Sequence, residues 1–250
     1  MIGETARDRT ILAVTGKDRE SFLQGLVSND VSKIAAGLVY TALLSPQGKY
    51  LADFFVVRRE EALLIDVQSG LADALLRRLN MYRLRADVRI EPREISVTRG
   101  LGPAPEGAFN DPRHTALGWR GYGIGSGGEP AIDWESIRVA QCIPETGIEL
   151  IPDETYILEA GFERLNGVDF RKGCYVGQEV TARMKHKTEL RKGLATVSIE
   201  GNAPVGTEIF SGAKPAGRLF TQSAGKAIAW LRFDRADGDM SAGSATLRKL

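Results

Sequence analysis

From Gly193 onward the sequence loses helical periodicity and becomes a series of short β-forming runs. The runs recur about every ten residues and are separated by glycine and proline. They are Leu194–Ile199, Glu208–Phe210, Arg218–Thr221 and Ala227–Phe233. Short strands at this spacing are typical of a small barrel or sandwich, so the pattern predicts a C-terminal β-barrel domain over residues 191–250. The last dozen residues are polar and contain glycine, and we expect them to fray.

The preceding 190 residues alternate between strand and helix patterns. Apolar runs rich in β-formers are Ile11–Thr15, Tyr40–Leu44, Leu51–Val57 and Ala62–Val67. Apolar residues at helical spacing predict amphipathic helices beginning near Asp18, over Gly70–Met81 and over Ile132–Cys142. Hairpin-linked strands followed by helices indicate antiparallel sheets with helices on one face, an α+β class over residues 1–190.

Composition excludes several classes of function. Lys and Arg number 33 against 32 Asp and Glu, and a formal charge of +1 argues against a protein that coats nucleic acid or a membrane through bulk charge. Two cysteines and two histidines at unrelated positions form no zinc ribbon and no HExxH motif, so no metal site is predicted. The sequence has no signal-peptide pattern and no apolar run of about 18 residues, which predicts a cytoplasmic protein without a membrane partner.

Cys174 is the residue with the clearest chemical potential. Gly173 and Gly177 flank it and allow tight backbone turns, and a helix is expected to begin near Gly177. A thiol before a helix and beside Arg171 and Lys172 lies in a positive field that favours the reactive thiolate. The alternative is a small buried hydrophobe, the usual fate of a free cysteine. The same burial is expected for Cys142, on the apolar stripe of its helix.

The segment around Cys174 is basic. Its cations are Arg164, Arg171, Lys172, Arg183, Lys185, Lys187, Arg191 and Lys192, and its acids are Asp169, Glu179 and Glu189. Eight cations against three acids leave five positive charges, which could bind an anionic ligand such as a polyglutamate tail or a nucleic-acid phosphate. The alternative is a solvated helix face on which Glu179 pairs with Arg183.

Four motifs carry a resemblance to a known family. Lys172–Glu179 (KGCYVGQE) is similar to the signature of the folate-binding YgfZ family, relatives of the glycine cleavage system T-protein that support iron–sulfur cluster assembly or repair. Phe22–Val31 (FLQGLVSNDV), Leu44–Asp53 (LSPQGKYLAD) and Ile143–Gly147 (IPETG) resemble further family motifs in the same order, so the match spans residues of about 10 to 193.

The resemblance implies a T-protein-like fold: two interleaved α+β lobes around a folate channel, followed by a C-terminal β-barrel. It implies that Cys174 is the reactive thiol and that tetrahydrofolate, or a one-carbon derivative, is the cofactor. The implied cofactor-binding residues are Trp134, Lys172, Gly173, Tyr175, Gly177, Gln178, Glu179 and Arg183. Trp134 falls where family members place an aromatic beside the pterin, whereas Arg9 stands where some members have a second tryptophan.

The function expected from this resemblance is that of a tetrahydrofolate-binding accessory protein for iron–sulfur cluster assembly or repair. It would indirectly support cluster-dependent enzymes such as tRNA-modifying methylthiotransferases, with assembly proteins or client enzymes as transient partners. A folate-dependent aminomethyltransferase is the enzymatic alternative. Docking of tRNA or another polyanion on the basic segment is the binding alternative, although direct nucleic-acid binding is not expected.

Overall fold

The computed structural model describes residues 3–186 and 190–250. The chain forms two compact units. The first consists of Met1–Ile132, Pro152–Glu154 and Glu163–Val180, and the second of Asp133–Ile151, Thr155–Phe162 and Thr181–Leu250. The second unit therefore contains the C-terminal strands together with earlier segments of the chain. The division of the chain into independent domains at residue 191 stays a prediction.

The first unit contains two antiparallel sheets. Its strands are β1 (Glu4–Thr5), β2 (Arg9–Thr15), β3 (Val39–Leu44), β4 (Tyr50–Arg59), β5 (Ala62–Gln68), β6 (Arg89–Arg93), β7 (Val97–Gly100), β8 (Ala108–Asn110) and β9 (Trp119–Tyr122). The larger sheet has the order β3-β4-β5-β2-β6, and the smaller has the order β1-β7-β9-β8. The four apolar runs of the sequence are β2 to β5, and their antiparallel pairing is as predicted.

The two faces of the larger sheet differ because side chains alternate along each strand. One face carries residues such as Leu12, Phe54 and Ile65 and packs in an apolar core with helices α1 (Arg19–Gln24) and α2 (Ser69–Arg83). A short 3₁₀ helix, Val31–Ala35, completes that core. The alternate positions carry buried polar residues, among them Tyr40, Asp53 and Asp66.

The second unit contains a closed barrel. Its strands are β10 (Lys192–Glu200), β11 (Glu208–Ser211), β12 (Lys214–Ser223), β13 (Lys226–Arg232), β14 (Asp239–Ala242) and β15 (Ala245–Lys249), in the order β10-β13-β12-β11-β14-β15. The expectation that the last dozen residues fray is wrong. Met240, Ala242, Ala245 and Leu247 alternate into the barrel core, and β15 pairs with β10 to close the barrel.

Helix α3 (Trp134–Ala140) is shorter than the sequence predicts. Asp133 caps its first turn by accepting a hydrogen bond from the Ser136 amide. Cys142 lies beyond the helix end, at φ +51°, and is only half-buried, so its expected core position is wrong. Helix α4 spans Gln178–His186. Within the described residues, no helix has the length and apolar character needed to span a membrane.

Candidate functional site

The site is built around the loop formed by residues 172–177, which leads into α4. Lys172 and Tyr175 are buried, whereas Gly173 and Cys174 between them are exposed. Because the two buried side chains fix the loop, the thiol is presented on the surface of the first unit. The alternative of Cys174 as a buried hydrophobe is therefore wrong.

Lys172 anchors this loop to the end of α1. Its ammonium donates hydrogen bonds to the carbonyl oxygens of Gln24, at 2.7 Å, and of Val27. It also lies 4.8 Å from the centre of the Tyr175 ring, within the range of a cation–π interaction. Burial lowers the pKa of Lys172 to about 8, although Asp30 and Asp169 act in the opposite direction, so the group is still charged at neutral pH. The sequence suggested that the Lys172 ammonium would face an anionic ligand or the Cys174 thiol. In the structure it donates instead to backbone carbonyl oxygens at the end of α1.

Two glycines bring the loop against the β3–β4 hairpin. Gly177 has φ +81°, and a Cβ there would lie 2.5 Å from the Ser45 carbonyl oxygen. Gly48 has φ +74°, and a Cβ there would lie 2.8 Å from Cβ of Val180. Real Cβ atoms do not approach so closely, so both positions require glycine. The close approach of the two segments explains why the motif at residues 44–53 and the motif at residues 172–179 both contain a glycine at this contact.

The motif at residues 22–31 holds the segment that precedes the loop. The Ser28 hydroxyl donates to the Gly167 carbonyl at 2.6 Å, and the Asp169 amide donates to the Ser28 carbonyl at 3.0 Å. The Asn29 amide group donates to the carbonyls of Tyr40 and Asn166 at 2.8 and 2.7 Å. Three of the four motifs, far apart in sequence, therefore meet at the loop that carries Cys174.

Asp53, at the end of the second motif, lies on the polar face of the larger sheet. It is 7% exposed and accepts hydrogen bonds from the Tyr50 hydroxyl at 2.7 Å and the Tyr40 hydroxyl at 3.0 Å. Burial and the Asp53 charge raise the pKa of Tyr40 well above its usual value, so its hydroxyl keeps its proton. The two tyrosines therefore hold the carboxylate in a fixed orientation.

Asp66, on the neighbouring strand, is the centre of a second buried network. Its carboxylate accepts hydrogen bonds from Arg9 at 2.6 Å, from Arg120 at 2.7 Å and from the Tyr122 hydroxyl at 3.0 Å. Burial would raise the pKa of Asp66, but the charges of Arg120 and Arg9 outweigh it and lower the pKa to about 2. The acid is therefore ionised throughout the physiological range.

Arginine side chains cover the Phe55 ring beside these acids. The guanidinium carbons of Arg120, Arg113 and Arg9 lie 4.4, 4.8 and 5.9 Å from the ring centre. Arg113 is held by two hydrogen bonds to the Asp111 carboxylate, at 3.0 and 2.7 Å. Arg9, where the sequence resemblance loses an aromatic contact, thus has an ionic partner of its own in this chain.

Sequence reasoning missed this polar face. The available signal was a single acid inside an otherwise apolar strand: Asp53 within β4 and Asp66 within β5. Such an acid needs a buried partner, because an unpaired charge is not tolerated in a core. Asp53 is paired with Tyr50 of its own strand and Tyr40 of β3, whereas the partners of Asp66 come from β2 and β9, and nothing in the sequence near Asp66 indicates them.

The remaining predicted residues occupy different surroundings. Gln178 and Glu179 form the first turn of α4, half-buried and exposed respectively, while Arg183 is exposed in its last turn. Trp134, half-buried at the start of α3, and Arg183 belong to the second unit. Lys187 and Glu189 of the basic segment lie outside the described residues. Lys192 contacts Glu159 at 3.5 Å and the Trp230 ring at 5.1 Å, so the segment is not one uninterrupted solvated face.

The fourth motif, residues 143–147, belongs to a network within the second unit. Arg138 of α3 contacts the carboxylates of Glu145 at 2.9 Å and Glu149 at 3.0 Å. Glu149 in turn accepts a hydrogen bond from Thr221 of β12 at 2.6 Å. Arg138 and Glu149 therefore tie α3 to the barrel, and Glu145 of the motif is a second acidic partner of Arg138. In the described part of the chain, no three His, Cys, Asp or Glu side chains form a group able to hold a metal ion.

Comparison with known proteins identifies the fold and the family. The structure matches glycine cleavage system aminomethyltransferase T from Bartonella henselae with a TM-score of 0.75, covering 98% of this chain and 83% of that one at 13% identity. The T-protein-like fold is thereby confirmed. Residues 191–249 match the family model of the CAF17 C-terminal β-barrel domain.

The iron–sulfur cluster assembly factor IBA57 of Homo sapiens, a mitochondrial protein, is 32% identical over 253 residues, which cover 86% of this chain and 70% of the relative. This chain belongs to the IBA57 family. The mouse IBA57 is 30% identical and covers 90% of this chain and 72% of the relative. The comparisons therefore support a family of iron–sulfur cluster assembly factors whose fold is related to that of the T-protein. The narrower assignment to the YgfZ family stays a prediction.

The IBA57 comparison also corrects the predicted localisation. The relatives from human, mouse and Mycosarcoma maydis are named as mitochondrial proteins. The cytoplasmic assignment, which rested on the absence of a signal-peptide pattern, is therefore wrong. A secretory signal peptide is only one kind of targeting segment, so its absence does not distinguish the cytoplasm from the other compartments that proteins reach by different targeting segments.

Proposed function

We propose that the protein is an accessory factor for iron–sulfur cluster assembly or repair, with Cys174 as its working group. The observation that carries the proposal is the exposed thiol on a loop fixed by the buried side chains of Lys172 and Tyr175. A thiolate is a soft ligand for iron and an acceptor of sulfur, but one cysteine cannot supply the four ligands of a cluster. Cys174 would therefore act together with ligands from a partner, either an assembly protein or a client enzyme.

The test is complementation of cells that lack the gene, measured as the activity of a [4Fe–4S] enzyme under oxidative stress. Cys174→Ala should lose function, while Cys142→Ala, which removes the half-buried second thiol, should retain it. Equal function of the two variants would contradict the proposal. Activity of tRNA-modifying methylthiotransferases in the same cells tests the wider client range.

We further propose that tetrahydrofolate binds this protein. Two features of the first unit support this proposal. The Tyr40 and Tyr50 hydroxyls hold the Asp53 carboxylate in a fixed orientation, and a carboxylate is an acceptor suited to the N–H donors of a pterin. An added Cβ at Gly173 would meet nothing within 4 Å, so a ligand can approach the loop closely there. Lys172 and Tyr175 would position the loop, and Gly173, Gly177, Gln178 and Glu179 would contact the ligand. Trp134 and Arg183, in the second unit, stay predictions for pterin stacking and carboxylate binding. When bound, the folate would supply one-carbon chemistry.

Isothermal titration of the full chain with tetrahydrofolate tests this second proposal, with Trp134→Ala and Asp53→Asn as variants and Asp239→Asn, at an exposed barrel acid, as the matched control. Binding that both variants weaken and the control retains would support it, and no heat at millimolar folate would contradict it. The aminomethyltransferase alternative is tested separately, by formation of methylenetetrahydrofolate from an aminomethylated carrier protein.

A further inference from the structure

The outer face of α2 is exposed and carries a combination of apolar and cationic side chains that the fold does not use. Met81 is 75% exposed and Leu84, directly after the helix, is 88% exposed. They continue a stripe that begins at Ala74 and Arg77, at spacings of three and four residues, so the four residues follow one side of the helix. We call Arg77, Arg78, Met81, Leu84 and Arg85 the α2 patch.

The charge of this face is strongly one-sided. Residues 70–85 contain Arg77, Arg78, Arg83 and Arg85 against Asp73, a net of three positive charges in a chain whose total is +1. Within the described residues, none of these four arginine side chains makes a salt bridge or a hydrogen bond. Arginines near a helix C-terminus complement the helix dipole, which accounts for part of the charge but not for the exposed Met81 and Leu84.

Leu84 is also strained. Its backbone has φ +45° and ψ −109°, a conformation that glycine adopts in turns and that disfavours a side chain. Strained backbone conformations cost free energy and cluster at binding and active sites, and here the exposed side chain gains almost nothing from the fold in return. Backbone strain and exposure at the same residue indicate a contact outside the chain.

We propose that the α2 patch binds an acidic, amphipathic segment of a partner protein. Arginine forks pair with carboxylates in two parallel hydrogen bonds, and the flexible Met81 adapts to apolar side chains of different shapes. The opposite side of α2 is buried through Ala72, Leu75 and Leu79, so the helix cannot sink its apolar face into a bilayer. The exposed face offers no aromatic ring for base stacking, which disfavours RNA. This partner site is independent of Cys174 and of folate.

The experiment measures fluorescence anisotropy of a labelled peptide of about 16 residues, long enough for a helix, with leucine every third or fourth position and glutamate elsewhere. The full-length chain should bind it, and a peptide of equal charge with serine in place of leucine should bind at least about tenfold more weakly. Met81→Ser and Arg77→Glu/Arg85→Glu should each weaken binding by about tenfold or more, since each removes one of the two required chemistries. Leu101→Ser and Val205→Ser, at exposed apolar residues elsewhere, are the matched controls and should bind as the unmodified chain does.

Leu84→Gly separates binding from folding. Glycine relieves the positive φ, so the thermal midpoint should rise by about 2–4 °C while peptide affinity falls. Absence of peptide binding, equal binding of the serine peptide, or unchanged affinity in Met81→Ser would overturn the proposal. So would tighter Met81-dependent binding to phosphatidylcholine–phosphatidylglycerol vesicles or to a duplex RNA.

Discussion

The larger sheet of the first unit and the barrel of the second unit are both antiparallel, yet their interiors differ in chemistry. Among the described residues of the barrel strands, Thr221 alone is both polar and buried, and the barrel core consists of residues such as Leu219, Leu231 and Met240. The sheet buries Asp53 and Asp66 together with the arginine and tyrosine partners that satisfy them. Apolar packing is sufficient for a scaffold. Buried charges are costly unless they are paired, so the sheet depends on ionic and hydrogen-bonded partners at positions where the barrel strands depend on apolar contact.

The largest expected effect is at the centre of the sheet's network. Asp66→Asn leaves the buried Arg120 and the half-buried Arg9 without this anionic partner and should lower the free energy of unfolding by about 3–5 kcal/mol. Urea unfolding followed by circular dichroism measures the change. The matched barrel variant Asp239→Asn removes an exposed pair with Arg248 and should cost under about 1 kcal/mol. Similar losses in the two variants would break the comparison.

The second-largest expected loss of stability comes from a substitution that creates a cavity in the barrel core. Leu231 is fully buried, and Leu231→Ala should lower the free energy of unfolding by about 3 kcal/mol through lost apolar contact. This loss should be the same at pH 4 and pH 7, because no ionisable group is involved. Lys226→Ala, at an exposed position of the same strand, should change stability by under about 0.5 kcal/mol. A pH-dependent loss in Leu231→Ala would show that the barrel core is coupled to titrating groups.

Acid should weaken the sheet through Asp66. Its pKa is about 2 in the folded chain and 3.8 in the reference state, so the unfolded chain takes up the proton first as pH falls. The contribution of Asp66 is therefore complete above about pH 4 and is lost between about pH 4 and 2, amounting to about 2 kcal/mol. The difference in unfolding free energy between the unmodified chain and Asp66→Asn should shrink across this window. A constant difference would contradict the assigned pKa.

The smallest effect lies at alkaline pH and concerns Lys172. Burial lowers its pKa to about 8 from 10.5, so between these values the unfolded chain holds a proton that the folded chain has released. Stability should therefore rise by about 1 kcal/mol from pH 8 to 9.5, a figure reduced for solvent screening of the ammonium. Unfolding of Lys172→Met should lack this rise. Above about pH 10 tyrosines of the unfolded chain also ionise, which sets the upper limit of the measurement.

Local pattern was a good guide to the elements and a poor guide to their partners. The helix expected over Gly70–Met81 is Ser69–Arg83, and the runs Tyr40–Leu44 and Leu51–Val57 form the antiparallel pair β3–β4, because both features depend on neighbours in sequence. Strands β14 and β15 form a hairpin with each other but were missed because their outward residues are polar and their apolar residues are small or widely spaced. The pairing of β15 with β10, which closes the barrel, joins strands far apart in sequence. Cys142 was assigned to the core because the helix was extended two residues past its true end at Ala140.

Periodicity and contiguous motifs in the sequence were enough to predict the fold class and the C-terminal barrel, and they also singled out the loop at Cys174 as the candidate site. The packed structure was needed to show that Cys174 is exposed, that the Lys172 ammonium donates to the carbonyl oxygens of Gln24 and Val27, and that Asp66 is paired with Arg9 and Arg120. The physical reason is that burial and ionic pairing are properties of groups brought together from distant positions. The sequence shows which side chains are charged, but the packing of the sheets decides which charged groups become partners.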